Sequence, residues 1–177
     1  MNIEEIKLLI SIKNLLKENQ KNFPQKNLLF LDFDGVINIP IKDYEQYNEE
    51  ELINLYSFGN KTCMDNLNIL CATFDFQIVI SSSWRISGLK YCEKYLLESG
   101  LNTNIPIIGE TKLYGFNKRF YEINDYLINH PDFTNFFILD DLHMGPLHIF
   151  ALQTNFQEGL SDENLKKAIK ICKRNFK

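Results

Sequence analysis

Three long apolar runs along the chain predict β-strands that are buried on both faces. In each run, apolar residues follow one another without the alternation of a half-exposed strand, which is typical of a parallel sheet. The runs occupy residues 28–33, 76–80 and 135–141. Two shorter segments, IPIIG at 105–109 and ALQT at 151–154, are candidates for further strands of the same sheet.

Amphipathic segments separate these runs and predict helices, because their apolar residues recur at helical spacing. The predicted helices cover residues 3–18, 62–74, 87–98, 117–129 and 161–175, the last with Ser161 as its N-cap. Strands that alternate with helices predict an α/β fold. We expect a three-layer Rossmannoid architecture, with a mostly parallel sheet flanked by helices and right-handed crossovers.

One polar segment, residues 38–60, interrupts this alternation after the first strand. It predicts a loop with one short helix around 48–57. The length of 177 residues fits one domain over residues 1–177, with an N-terminal helical segment at 1–22.

Charge and composition narrow the possible functions. The net charge of −4 gives no general attraction to nucleic acid or to an anionic membrane. Six of the 19 basic residues cluster at 165–177, where a solvated helix face is favoured over a phosphate-binding patch. No run approaches the ~20 apolar residues of a membrane span.

The four cysteines lack the spacing of a metal site and are expected to be reduced. We therefore expect a cytoplasmic protein, although export without a cleaved signal would leave the same pattern.

Polar side chains lie at, or directly beyond, the carboxyl ends of the three long predicted strands. They are Asp32 and Asp34, then Ser81, Ser82 and Ser83, then Asp140 and Asp141. Because ligands of open α/β sheets bind at the carboxyl ends of the strands, these groups should converge. Four carboxylates in one place repel one another unless a cation lies among them. Hard oxygen ligands in an incomplete shell suit Mg²⁺, so all four aspartates are candidate ligands.

The same residues resemble a known family. The stretches FLDFDGV, IVISS and FILDD, with a basic residue opening the helix before the last of them, are similar to the four motifs of the haloacid dehalogenase superfamily of phosphatases and phosphotransferases. The likeness spans residues 28–141. More narrowly, ISSSWR, RFYEINDYL and LQTNFQEGL resemble a small branch known from bacterial RNA-repair fusion proteins.

The resemblance implies a role for each acidic residue. Asp32 would be the nucleophile that attacks phosphorus and forms an aspartyl-phosphate. Asp34 would protonate the leaving oxygen and then activate water. Asp140 would bind Mg²⁺ directly, and Asp141 directly or through water.

The polar and basic motifs leave two choices open. Ser81 would donate a hydrogen bond to a phosphoryl oxygen, with Ser82 as the alternative. Arg119 would stabilise the transferred charge and the nucleophile, with Lys118 as the alternative. The family more often has Lys at this position.

Trp84 and Arg85 follow the serines and are candidates for the entrance of the site. Trp84 would stack on a base, and Arg85 would hold a second phosphate. The competing interpretations are core packing for Trp84 and a surface ion pair for Arg85.

The spacing of the motifs predicts an open site. Between Asp34 and Ser81 there is room for a flap or minimal cap at 38–60, but not for a folded lid domain. An open site favours a large phosphorylated substrate, such as a nucleic-acid end or a phosphoprotein.

Other functions are compatible with similar residues. A response-regulator receiver has its acidic pair first and its phosphorylated Asp later, which is the reverse of the order here, so that class is set aside. The remaining alternatives are a phosphoprotein or small-molecule phosphatase, and a non-catalytic binding module that keeps the fold.

Overall fold

The centre of the molecule is a five-stranded, wholly parallel sheet. A computed structural model describes residues 3–41, 43–115 and 118–176. The strands run in the order β3-β2-β1-β4-β5. Their bounds are Asn27–Leu31 for β1, Phe76–Ile80 for β2, Ile107–Glu110 for β3, Asn135–Asp140 for β4 and Ala151–Gln153 for β5. The predicted α/β fold with a parallel sheet is confirmed, including the short third and fifth strands.

The described residues form six α-helices, which connect and cover the strands. They are α1 Ile3–Asn22, α2 Glu49–Tyr56, α3 Lys61–Phe74, α4 Leu89–Glu98, α5 Arg119–Asn129 and α6 Asp162–Asn175. The predicted helix from 87 begins later, because Gly88 has a φ of 92° and separates α4 from a 3₁₀ turn at Ser83–Ser87. The predicted start at 117 lies outside the described residues, and α5 begins at Arg119.

The strand order places β1 at the centre and creates a switch point beside it. The chain moves outward from β1 through β2 to β3, then returns to the other side of β1 as β4. In open α/β sheets, a crevice forms where the direction of winding reverses, at the carboxyl ends of the strands. Here that crevice lies between β1 and β4, whose ends carry Asp32 and Asp140.

Alternation along β1 shows how the helices form two layers. Leu29 and Leu31 pack into the apolar core that contains α3, α4 and α6. Leu28 and Phe30 point to the opposite face and pack into the core that contains α1 and α5. Both faces of the strand are buried, which explains why its sequence is apolar without interruption.

The segment between β1 and α3 is a small flap and not a lid domain. Its described residues form a 3₁₀ turn at Tyr44–Gln46 and the two-turn helix α2. A capping box fixes the start of α2, since Asn48 accepts from the backbone of Glu51 and Glu51 accepts from that of Asn48. No side chain of α2 is buried. The flap therefore does not contribute to the core, and its residues Tyr47, Leu55 and Tyr56 instead line a cleft that also includes Asp34.

The remaining observations concern the exposed face of α6 and the apolar character of the helices. The basic side chains of α6 lie on its solvent-exposed face, as the solvated-face interpretation predicts. Within the described part of the chain, no helix combines the length and the apolar character needed to cross a membrane.

Candidate active site

Backbone hydrogen bonds extend the sheet by one residue and fix the first polar groups. The N–H of Asp32 donates to the carbonyl of Leu139 at 3.0 Å, and the N–H of Ser81 donates to that of Leu31 at 2.9 Å. Asp32 and Ser81 are therefore the first residues after β1 and β2, and a backbone hydrogen bond to a neighbouring strand holds each of them. Rigid strands hold them while the chain beyond is free to turn.

Three carboxylates converge at the switch point. Oxygens of Asp32, Asp140 and Asp141 all lie within 4.8 Å of one another. Asp32 and Asp140 are buried, and Asp141 is half-buried. Burial, followed by the nearby charge of Asp32, raises the pKa of Asp140 to about 8, and the same two causes raise the pKa of Asp141. A divalent cation would relieve this repulsion, and a cluster of carboxylate oxygens is the donor set that Mg²⁺ prefers.

Gly35 allows the chain to pass close to this cluster. Its φ is 71°, and a Cβ built there would lie 2.8 Å from the Cβ of Asp141. A side chain would therefore displace Asp141 as well as strain the turn. The hydroxyl of Thr154, which donates to the Gly35 carbonyl at 2.7 Å, holds the turn in place.

Arg119 is the cation that contacts the acidic cluster. Its Nη1 lies 2.5 Å from Oδ2 of Asp140 and 3.2 Å from Oδ2 of Asp32. Burial lowers the pKa of Arg119, but Asp140 and Asp32 more than offset this effect, so the guanidinium pKa is raised. Lys118 is exposed, and its Nζ lies 5.4 Å from the centre of the Tyr121 ring. Of the two predicted candidates, the structure brings Arg119 to the site and not Lys118.

The two candidate serines differ in their hydrogen bonding. Both are buried. The Ser82 hydroxyl accepts from the backbone N–H of Trp84 at 3.3 Å and caps the following 3₁₀ turn. The Ser81 hydroxyl is buried without a partner among the described residues. A buried hydroxyl that has no partner is available for a ligand oxygen, so the geometry favours Ser81 over Ser82.

Asp34, the fourth predicted metal ligand, lies outside the carboxylate cluster, so the structure does not bring it together with Asp32, Asp140 and Asp141. Its Oδ2 accepts from Nε1 of Trp84 at 2.9 Å, and its Oδ1 accepts from Nδ2 of Asn38 at 3.2 Å. The turn at Gly35 directs this half-buried carboxylate towards Trp84 instead of towards the other acids. Such a position suits proton transfer and not coordination through the side chain.

Trp84 packs within an aromatic group. Its ring lies 4.8 Å from that of Tyr95 and 5.6 Å from that of Phe33, measured between centroids. The half-buried Trp84 side chain also lines a cleft together with Asp34, Tyr47 and Phe156. Trp84 therefore both packs against aromatic neighbours and lines the cleft, and neither interpretation included its hydrogen bond to Asp34.

Arg85 occupies the interior, which corrects both interpretations of this residue. Its guanidinium donates to the backbone carbonyls of Ser81, Ser82 and Thr111, and its Nη2 lies 2.5 Å from Oε2 of Glu122. Both side chains are only 2% exposed. A guanidinium with these partners cannot hold a second phosphate, and the ion pair is buried and not at the surface.

Three residues that contact the site were not predicted from the sequence. Glu122 contacts Arg85 and, through Oε2, lies 3.6 Å from Nε of Arg119. Its position three residues after Arg119 on one helix was an available signal. Asn38 and Tyr95, which hydrogen-bond at 2.6 Å, gave none, because 57 positions separate them in the chain.

A cleft of about 870 Å³ lies beside Asp34, between the flap and the loop after β5. Asp34 and Trp84 form part of its wall. Four further aromatic side chains line it: Tyr47, Tyr56, Phe58 and Phe156. Lys61 and Glu158 are the charged residues that join Asp34 in the described lining. The volume falls within the range of small-ligand pockets.

Comparison with known proteins identifies the family. Residues 28–165 match the model described as the HAD domain in Swiss Army Knife RNA repair proteins, and this match covers every strand end that carries a site residue. No curated protein and no solved structure matches the chain. The resemblance to the haloacid dehalogenase (HAD) superfamily and to its RNA-repair branch is confirmed: the chain belongs to the family of HAD domains found in Swiss Army Knife RNA repair proteins.

Proposed function

We propose that this protein is a Mg²⁺-dependent phosphomonoester hydrolase that acts through an aspartyl-phosphate on Asp32. The observation that carries the proposal is the cluster of Asp32, Asp140 and Asp141 with Arg119 against it. Membership of the HAD family supports a hydrolase of the phosphatase type. The three carboxylates would hold Mg²⁺, which when bound would spread the charge of the phosphoryl oxygens.

The residues divide the reaction into two steps. In the first, an Asp32 oxygen attacks phosphorus, the bond to the leaving oxygen breaks, and Asp34 gives that oxygen a proton. In the second, Asp34 takes a proton from water as the water attacks the aspartyl-phosphate, which releases phosphate and restores Asp32. Arg119 stabilises the charge on Asp32 and on the transferred group, and the Ser81 hydroxyl donates to a phosphoryl oxygen.

Hydrolysis of a generic aryl phosphate tests this function directly. We expect turnover with Mg²⁺, none with EDTA, and none for Asp32→Asn, because an amide cannot attack phosphorus. The variant should melt at a similar temperature to the parent, since Asn fills the same space. Turnover by Asp32→Asn close to that of the parent would reject the nucleophile, and no turnover of any phosphate ester by the parent would favour the binding-module alternative.

We further propose that the natural leaving group is the terminal nucleoside of an RNA or DNA strand. The support is the cleft beside Asp34, which has the volume for a nucleoside and aromatic side chains on which a base can stack. Base–aromatic stacking contributes ~1–3 kcal/mol per base. Among the described residues that line the cleft, the one cation is Lys61, which is paired with Asp65 at 2.8 Å, so a long polyanion gains little from it. The family description, which names RNA repair proteins, points the same way.

A substrate panel distinguishes this leaving group from the alternatives. We expect kcat/KM for a 3′-phosphorylated oligonucleotide to exceed the values for a mononucleotide, a sugar phosphate and a phosphopeptide. Phe156→Ala, which removes a cleft side chain, should lower kcat/KM on the oligonucleotide about tenfold, the lower part of the stacking range. Tyr44→Ala, an exposed flap aromatic outside the lining, is the matched control. A phosphopeptide or sugar phosphate as the best substrate would reject the nucleic-acid end and leave the phosphatase chemistry standing.

The cysteines support the expected cytoplasmic location as part of this proposal. All four are free and buried. Burial raises the pKa of the Cys92 thiol to about 11, so this group stays protonated and unreactive at neutral pH. Free thiols are the normal state of cysteine in a reducing compartment.

A further inference from the structure

We infer that Trp84 and Asn38 are positioning residues that hold Asp34 in place for proton transfer, with Tyr95 fixing the orientation of Asn38. This inference rests on the proposed function, because it concerns how the general acid of that reaction is aimed.

Both oxygens of the Asp34 carboxylate carry one donor each. The indole N–H of Trp84 donates to Oδ2 at 2.9 Å, and the amide of Asn38 donates to Oδ1 at 3.2 Å. A carboxylate has about four lone-pair sites, so each oxygen keeps one for the substrate or for a proton. The two bonds therefore fix the carboxylate plane without occupying the sites that the reaction needs.

The orientation of the Asn38 amide is determined by Tyr95. The Tyr95 hydroxyl donates to Oδ1 of Asn38 at 2.6 Å, which leaves Nδ2 to face Asp34. The Tyr95 side chain is buried, and burial raises its pKa to about 12, so the phenol keeps its proton at any working pH. The backbone reinforces the arrangement, because the N–H of Gly35 donates to the Asn38 carbonyl at 2.8 Å.

Trp84 is suited to this role because its donor cannot switch. An indole N–H donates and does not accept, whatever the protonation state of its partner. The ring is held edge-on against Phe33, at an interplanar angle of 68°, and rests on Tyr95. Phe33 separates Asp32 from Asp34 in the chain, so the same packing fixes the spacing between nucleophile and acid.

Trp84 is the only tryptophan in the chain, which makes the hydrogen bond measurable without a substrate. A ¹H–¹⁵N spectrum of the full chain contains a single indole resonance. We expect Asp34→Ala to move this resonance upfield and to speed its exchange with solvent. Glu158→Ala, which removes a carboxylate from the same cleft, should leave it in place. If Asp34→Ala changes neither the chemical shift nor the exchange rate of the indole N–H, the inference is overturned, whichever substrate the enzyme hydrolyses.

The leaving-group dependence of kcat/KM tests the consequence for catalysis. A nitrophenolate leaves without a proton, whereas a nucleoside 3′-oxygen needs one, and kcat/KM reports only the steps up to transfer of the phosphoryl group to Asp32. General acids contribute about 10²–10⁴-fold, so we expect Trp84→Phe to lower kcat/KM on the nucleoside ester by at least about tenfold more than on nitrophenyl phosphate. Tyr95→Phe should show the same asymmetry more weakly.

Tyr91→Phe is the matched control, since this ring neighbours Trp84 at 6.3 Å but makes no hydrogen bond to Asp34 within the described chain. An equal fall on both esters, or no fall on either, would assign Trp84 to packing and overturn the inference. If the parent hydrolysed neither ester, the proposed function would fail, and the indole resonance would still decide whether the hydrogen bond holds Asp34.

Discussion

Arg119 contacts two buried carboxyl groups of the site, those of the proposed nucleophile Asp32 and of Asp140. We predict that Arg119→Ala lowers kcat on an aryl phosphate about 10²- to 10³-fold, the usual effect of removing one preorganised donor from a developing charge. Arg119→Lys should recover part of this loss, because Lys keeps the charge but not the planar guanidinium. Steady-state kinetics of both variants provide the measurement.

Lys118→Ala is the control for this prediction, since Lys118 is adjacent in sequence but exposed against Tyr121. Its kinetics should match those of the parent. A larger loss for Lys118→Ala than for Arg119→Ala would exchange the roles of the two residues.

The sequence predicted which residues belong to the site better than it predicted the partners of their side chains. Asp32, Asp140 and Ser81 could be placed because each directly follows an apolar strand, and parallel strands end at one edge. The partners of Trp84 and Arg85 could not, because Asp34 and Glu122 lie 50 and 37 positions away. Nothing in the local pattern tells a buried arginine with carbonyl partners from an exposed one.

Among the elements, the pair of Arg85 and Glu122 connects the turn after β2 to α5. Glu122 also accepts from the backbone N–H of Tyr114 at 2.7 Å, so it anchors the loop that precedes the helix. We predict that Glu122→Ala lowers the free energy of unfolding by about 3–5 kcal/mol, because it leaves the buried guanidinium of Arg85 without its counter-charge. Urea denaturation provides the measurement.

The exposed pair of Lys61 and Asp65, one helical turn apart, is the matched comparison. Asp65→Ala should cost less than about 0.5 kcal/mol, as expected for a solvated pair. Equal losses for the two substitutions would show that the pair of Arg85 and Glu122 is not part of the structural interior.

Element bounds were predictable where a period or an apolar run was long. Strands β1, β2 and β4 agree closely with their predictions, since burial on both faces requires an unbroken apolar run. The start of α4 does not agree with its prediction, because the positive φ of Gly88 separates the first predicted turn from the helix as a 3₁₀ segment.

For the whole molecule, the raised pKa of Asp140 links stability to pH and to metal. The folded state keeps a proton on Asp140 up to about pH 8, whereas the unfolded chain releases it near about pH 4, so the folded state binds more protons between these values. The free energy of unfolding of the metal-free protein should therefore fall as pH rises across this window. Mg²⁺ at millimolar concentration should restore it, and more so at higher pH.

Thermal melting in EDTA and in Mg²⁺, from about pH 5.5 to about pH 8.5, checks this link. Asp140→Asn should reduce both the pH slope and the shift caused by Mg²⁺. A shift with Mg²⁺ that is absent at every pH, or unchanged in Asp140→Asn, would contradict a metal site at the cluster.

The net charge of −4, and the single cation in the described lining of the cleft, predict that activity on nucleic acid depends only weakly on salt. For a phosphorylated oligonucleotide, the slope of log kcat/KM against log salt should be no steeper than about −1, equivalent to one backbone contact beyond the terminal phosphate. Short and long oligonucleotides should give the same slope.

The exposed basic face of α6 supplies the contrary test. Replacement of Lys170 and Lys173 by Gln should leave the slope unchanged. A steep slope that flattens in this double variant would mean that the enzyme follows a strand along α6 instead of recognising its end.

The flap has a consequence for how this domain can diversify. Between residues 43 and 58 no side chain is buried, yet this segment forms much of the wall beside Asp34. Most surface substitutions change stability by less than about 0.5 kcal/mol, so mutations can accumulate here without unfolding the protein. The preference for one leaving group over another can therefore change through flap mutations, while the four site aspartates, Arg119 and Ser81 remain unchanged. A library randomised at these positions should therefore yield mostly folded members with diverging substrate ranges.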